Sequence, residues 1–225
     1  MIVGAKRTPI GSFMGSIANL PAPHLGRVAA RGALASCEVD PTEIEEVYMG
    51  AVLQAAMGQA PARQVALTCE MGQDTPATTV NKVCASGMKS VMMASQSIEL
   101  GHRSVMLAGG MEAMSKSPHY TFLRRPTSYG EATVLDSIKH DGLTDVYNNI
   151  LMGSCVEKVC SEMGISRQAQ DEYAIESYTR ARAAQEAGIL DWETVEVTQQ
   201  DRKGERKFSQ DEECQKFFPD KFPQL

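Results

Sequence analysis

Apolar side chains along this chain fall into two alternating spacings. Short apolar or β-branched runs at Ile2–Ala5, Glu46–Val52, Thr78–Val83 and Ser104–Ala108, bounded by turn formers such as Arg7-Thr8-Pro9 and Gly109-Gly110, predict strands. Between them, Leu25, Val28, Ala29 and Leu34 recur at helical spacing across His24–Cys37, and Ala62–Met71 reads as a second helix. Asp40-Pro41-Thr42-Glu43 offers an N-cap, a proline near a first turn and acids that match a helix dipole. A third, longer helix is expected from about Cys84 to Leu100, with Met88, Val91, Met92, Ser95 and Ile98 on the side of Cys84 and therefore facing a core. Strands alternating with helices predict an α/β fold around a mainly parallel sheet.

After Met111 the rhythm changes. Residues 115–150 are irregular and rich in turn formers (Ser117-Pro118, Arg125-Pro126, Tyr129-Gly130, Asp141-Gly142), and a connection this long is functional or an inserted lobe. Two helices are expected at 154–163 and 167–187, the second capped by Ser166 and stopped by Gly188. A strand at Thr194–Thr198 and a charged stretch from Asp201 to Gln215, turning at Gly204, complete the pattern.

Composition narrows the class. With 225 residues, 43% hydrophobic and 22% charged, the chain is globular and large enough for one large domain or two small ones. Aromatics at 6% beside 13 methionines and 18 glycines favour helices packed closely on sheets over a β-sandwich. No apolar run approaches the ~20 residues that cross a bilayer, so no membrane partner is expected. A net charge of −6 argues against nucleic acid as a partner, yet leaves room for a small anionic substrate. The six cysteines form no CxxC pair, which favours a reducing compartment. MIVGA carries no basic stretch ahead of an apolar one, so no secretory leader is expected.

The segment with the most chemistry is Thr78–Met88, in which a predicted strand delivers Cys84 to the first turn of a helix. Backbone N–H groups at a helix start favour a thiolate and can stabilise an oxyanion on an attacked carbonyl. Ala85, Ser86 and Gly87 leave room for a substrate. Free cysteine is also among the most buried residue types, so spacing alone leaves Cys84 open between nucleophile and core residue.

NKVCASGMKS resembles the NxxCxSG active-site segment of thiolases, and the likeness runs the length of the chain. GAKRTPIGSF near the N-terminus, GQAPARQVAL at 58–67, LAGGMEAMS at 107–115, KHDGLTDVYNN at 139–149, MGSCVEKV at 152–159 and QDEYAIESYTRARAAQEAG at 170–188 are all similar to the acetoacetyl-CoA branch of that family. The resemblance implies an α/β, thiolase-like fold: the N-terminal half of a layered αβαβα arrangement plus an inserted loop domain. It divides the chain into 1–114, the N-terminal domain, and 115–225, the CoA-covering loop domain, with the C-terminal thiolase domain absent.

By the same resemblance Cys84 takes the acyl group in a ping-pong exchange between acetyl-CoA and acetoacetyl-CoA, with no covalently bound cofactor. The family's other catalytic groups, a histidine in GHP and a cysteine in CxG, belong to its C-terminal half; His24, His102, His119 and His140 are not in GHP, and Cys214 is not in CxG. Met152 falls where the family sets a methionine over the thioester, and Leu151 where it usually carries a histidine. Tyr178 matches a tyrosine at a potassium site, and Lys216, Phe217, Phe218 and Lys221 align with the segment that holds the nucleotide end of CoA. Lys116, Arg124 and Arg125 are further cations, read here as a solvated loop. The resemblance also implies a mitochondrial homotetramer, with the cytoplasm as the alternative compartment. Two other functions stay open: a non-catalytic module that assembles with intact subunits, and a degradative 3-ketoacyl-CoA thiolase.

Overall fold

The computed structural model describes residues 1–124, 128–202 and 204–224. Its core is a parallel sheet built from the middle of the first half. Helix α1 (Ala22–Ser36) leads into strand β1 (Glu46–Gly50); α2 (Pro61–Thr68) crosses to β2 (Ala77–Val80), and α3 (Ser86–Glu99) crosses to β3 (Met106–Gly110). The strand order is β2-β1-β3, with Val47 opposite Ala77 on one side and Leu107 on the other. Each crossover is helical because parallel neighbours need a long connection that returns the chain to the same end of the sheet.

Side-chain alternation along β1 divides the layers. Val47 and Met49 join Ala30 and Leu34 of α1 and Ala62, Val65 and Ala66 of α2 in the main core. Val47 and Val65 are fully buried, each worth roughly 1.5–3 kcal/mol relative to exposure. On the other face Gly50 meets α3 so closely that a Cβ would lie 2.5 Å from the Gly87 nitrogen. The sheet is therefore sandwiched between α1/α2 and α3, and its contact with α3 is nearly backbone to backbone.

Several sequence expectations need correction. Ile2–Ala5 does not form a strand; among the described residues the first segment makes a single bridge, Arg7 to Thr194. It instead lies over α1, where a Cβ on Gly4 would come 2.8 Å from the Ala33 carbonyl oxygen. Asp40-Pro41-Thr42-Glu43 makes one capped 3-10 turn (Pro41–Glu43), with a reciprocal capping box, before the chain is drawn into β1. The third strand ends at Val80 and its helix begins at Ser86, which leaves Asn81–Ala85 as a turn. Gly109 and Gly110 belong to β3 rather than ending it.

The largest correction concerns α3. Its buried side chains are Ser86, Ser90 and Ala94, not the apolar stripe. Met88 is 70% exposed, and Val91, Met92, Ser95 and Ile98 are also on the exposed side. Small residues let the helix approach the glycines of β1 and β3, and this turns the large apolar ones outward.

Beyond Met111 the elements are smaller. Two short antiparallel pairs, β4 (His119–Tyr120) with β5 (Leu135–Asp136) and β6 (Thr144–Asp145) with β7 (Ile150–Leu151), flank a π-helical turn at Ile138–Leu143. The Arg125-Pro126 turn, and Arg125 as a cation, lie outside the described residues. Helix α4 (Met152–Met163) ends at Gly164 with φ +67, a left-handed cap that favours glycine. Ser166 then accepts the Ala169 N–H at 3.1 Å and starts α5 (Arg167–Glu186). The expected strand begins later, at Val197, and forms a hairpin of β8 (Val197–Asp201) with β9 (Gly204–Phe208).

A carboxylate clasp joins the two ends of the chain. Arg7 donates to Asp211 from both terminal nitrogens (2.7 and 3.0 Å) and to Glu193 from Nε (2.6 Å). Asp211 also accepts the Ile10 N–H, while Glu212 accepts the N–H groups of Ser12 and Ser16. Burial alone would raise both carboxyls, but hydrogen bonds from Arg7 and Ile10 outweigh it at Asp211, and those from Ser16 and Ser12 do so at Glu212. Both carboxyls are held below the ordinary range. The Arg7 guanidinium is raised, first by its hydrogen bond to Asp211.

Candidate active site

The Asn81–Ala85 turn sits at the C-terminal end of β2, where a parallel sheet normally carries its ligand crevice. Asn81 Oδ1 accepts the Val83 N–H at 3.0 Å, and the Ser86 hydroxyl bridges the turn by accepting from Lys82 N–H (2.8 Å) and donating to the Val83 carbonyl (2.6 Å). Val83 adopts φ +49, a left-handed conformation that costs a β-branched residue on the order of 1–3 kcal/mol. The residue after this strained position is Cys84, and its side chain is exposed. In this structure Cys84 is therefore not a core cysteine, unlike Cys69 and Cys214.

Cys84 stands one residue before the helix N-cap, Ala85, rather than in the first turn as expected. The Val83, Ala85 and Ser86 N–H groups are already used within the turn, by Asn81 Oδ1, the Lys82 carbonyl and the Val83 carbonyl. An attacked carbonyl would therefore have to find its donors among the remaining amides.

Beside Cys84 opens a cavity of about 420 Å³. Its floor is backbone from Gly50, Gly87 and Gly110, its walls include Val52, Leu53, Met111, Glu112 and Met114, and Ile138, Gly142 and Leu143 line it from the π-helical turn. A lining this apolar suits an acyl chain or a pantetheine arm rather than a charged group. Sequence reasoning missed these residues. The available signal was position, because Val52 and Leu53 follow β1 while Met111 and Glu112 follow β3, at the same end of the sheet as the cysteine turn.

The other predicted site residues do not line this cavity. Leu151 ends β7 and Met152 opens α4, both partly exposed. Tyr178, in the middle of α5, stacks on Phe217 with centroids 5.3 Å apart and an 8° interplanar angle, and Phe222 meets both rings edge-on. The structure thus brings Tyr178 and Phe217 together, and their facing surfaces are spent on each other. Lys221 Nζ lies 4.7 Å from the Phe218 ring centroid, and Lys216 pairs with Glu213 at 3.6 Å. Tyr178, Lys216, Phe217, Phe218 and Lys221 thus lie on and beside α5, separate from the cysteine cavity. Among the described residues no group of three or more His, Cys, Asp or Glu side chains is placed to hold a metal ion. No helix of the described residues is long and apolar enough to cross a membrane.

Comparison with known proteins gives one consistent result. Residues 1–222 match the family profile of the thiolase N-terminal domain. The chain is 51% identical to the mitochondrial acetyl-CoA acetyltransferase of Danio rerio, covering all of this chain and 54% of that protein. It is 54% identical to the Homo sapiens mitochondrial acetyl-CoA acetyltransferase over 88% of this chain and 46% of that one. The chain thus spans about half the length of the curated relatives it matches. Among solved structures, the Ascaris suum Acat5 thiolase in complex with coenzyme A superposes with a TM-score of 0.93 at 36% identity, over all of this chain and 57% of that one. The Syntrophomonas wolfei acetyl-CoA acetyltransferase superposes at 0.92 with 30% identity, again covering 57% of that chain.

Proposed function

The chain belongs to the thiolase family, as its N-terminal domain, and from that premise we propose that it carries the nucleophile of an acyltransferase interconverting acetoacetyl-CoA plus CoA with two acetyl-CoA. The observation that carries this reading is the exposed Cys84 sulfur, presented by a strained turn beside an apolar cavity. In the cleavage direction the Cys84 thiolate adds to the 3-keto carbonyl of acetoacetyl-CoA. The C2–C3 bond breaks and its electron pair leaves as the enolate of acetyl-CoA, which takes up a proton. The acetyl group remains on sulfur until the thiolate of a second CoA attacks it, releasing acetyl-CoA and restoring Cys84. Run in reverse, with the acetyl-CoA enolate attacking the acetyl group on Cys84, the same path is the condensation.

The acid and base for the enolate step would come from the C-terminal half, through the GHP histidine and CxG cysteine of the family. Residues 115–225 would serve as a loop domain over CoA, with Leu151 and Met152 near the thioester and Lys216, Phe217, Phe218 and Lys221 near the nucleotide. Tyr178 would belong to a potassium site, and the complete protein would act as a mitochondrial tetramer. The names of the relatives, mitochondrial acetyl-CoA acetyltransferases, support acetyl-CoA as a substrate and the mitochondrial compartment.

Thiolysis by the full-length protein, followed as loss of acetoacetyl-CoA on adding CoA, tests this reading. The parent should cleave acetoacetyl-CoA, and Cys84→Ser should lose on the order of 10³-fold or more. Faster cleavage of a ten-carbon 3-ketoacyl-CoA would move the assignment to a degradative thiolase. No thiolysis, with retained binding to intact thiolase subunits, would replace it with the assembly module.

A further inference from the structure

Glu112 has no part in the chemistry so far, yet it lies where the cavity wall is built. Along β1 the backbone ladder holds as far as Ala51, whose N–H donates to the Val80 carbonyl at 3.0 Å. The next two amides have no strand to pair with. The Glu112 carboxylate takes both: Oε2 accepts the Val52 N–H at 2.9 Å and Oε1 accepts the Leu53 N–H at 3.3 Å. Val52, Leu53 and Glu112 all line the cavity that Cys84 lines.

Two further contacts tie this wall to the reacting sulfur. The Asn81 side chain, which accepts the Val83 N–H, reaches the Val52 carbonyl through Nδ2 at 3.5 Å. Leu53, buried, stands under the π-helical turn, where a Cβ added to Gly142 would be 3.5 Å from Leu53 Cδ2. One carboxylate therefore fixes the peptide from which both the cysteine turn and the cavity roof take a contact. A lysine or amide at that position offers fewer acceptors: glutamine has one acceptor oxygen and would aim its amide N–H at a second N–H.

We propose that Glu112 is a positioning residue for acyl transfer: by accepting the Val52 and Leu53 N–H groups it holds the wall against which the thioester is aligned for Cys84. Misplacement of a reacting group by about 1 Å costs on the order of 10²-fold in rate, so the effect falls on the chemical step and not only on folding. This inference rests on the acyl-cysteine reading of Cys84.

The test uses the full-length protein and two probes. Single-turnover acylation of Cys84 by acetyl-CoA at saturation, expressed per folded molecule, should be 10- to 100-fold slower in Glu112→Gln than in the parent. Alkylation of Cys84 by iodoacetamide, which needs no aligned cavity, should stay within about threefold. Glu112→Asp keeps both oxygens one methylene short, and serves if the glutamine variant does not fold; its acylation should slow by 3- to 10-fold. Equal acylation per folded molecule in parent and variants would overturn the role, as would acylation and alkylation falling together. A parent alkylated by iodoacetamide but not acylated by acetyl-CoA would instead overturn the acyl-cysteine reading, and this role with it.

Discussion

In residues 1–114, Val47, Ala62, Val65 and Cys69 are sealed between a parallel sheet and two helices, whereas α4 and α5 bury no side chain among the described residues. The first region is held by apolar burial. The second buries Val197 and Cys214 but otherwise relies on surface links: pairs at i,i+4 along the helices such as Arg167–Asp171 and Arg180–Glu176, the Tyr178–Phe217–Phe222 ring cluster, and the clasp from Arg7 to Asp211 and Glu193. Exposed ion pairs of the first kind are worth well under 1 kcal/mol each. The half-buried clasp, together with Val195 packed against Gly32 of α1, ties the second region to the first. The cavity needs both regions, because its floor comes from the sheet and Ile138, Gly142 and Leu143 come from the loop segment.

The same substitution made in each region should break this comparison most visibly. Val65→Ala leaves a void in a fully buried position and is expected to cost about 3 kcal/mol in urea unfolding. Val156→Ala on α4, where the side chain is mostly exposed, should change stability by less than about 0.5 kcal/mol. Equal losses at the two positions would contradict the division.

Next in size is the clasp. Arg7→Ala strips the guanidinium from two half-buried carboxylates, at an expected cost of about 2 kcal/mol, below the figure for a fully buried pair because all three groups keep some solvent. Limited proteolysis should then cut residues 193–224 sooner than α1 or α2. A smaller effect follows from titration. Asp211 and Glu212 have folded pKa values below the unfolded carboxylate range of about 4, so their contribution is complete above that range and is lost as pH falls through the folded values. Urea midpoints measured between pH 6 and pH 3 should fall more steeply in the parent than in an Asp211→Asn, Glu212→Gln variant.

Much of the first region was legible in the sequence because its elements obey local rules. Apolar runs marked β1, β2 and β3, and in the second region Ser166 and Gly188 placed the two ends of α5. The misreading of α3 has a physical cause. Periodicity identifies an apolar stripe but not which stripe a sheet selects, and glycines at 50, 87 and 110 favoured the small face because it permits closer approach. Ile2–Ala5 failed as a strand because the segment packs over α1 instead, a tertiary contact that apolar spacing does not reveal. Cys84 was found through its motif, while Val52, Leu53, Glu112 and Leu143 escaped because they converge from separate strand ends and a remote loop.

Trapping the intermediate on the cysteine turn is the most direct measurement. Full-length protein mixed with acetyl-CoA, quenched in acid and digested, should yield the peptide containing Cys84 carrying one acetyl group, with no adduct on Cys37, Cys69, Cys155, Cys160 or Cys214. An unmodified Cys84 peptide from protein that turns over acetoacetyl-CoA, or an acetyl group found on another cysteine, would contradict the account.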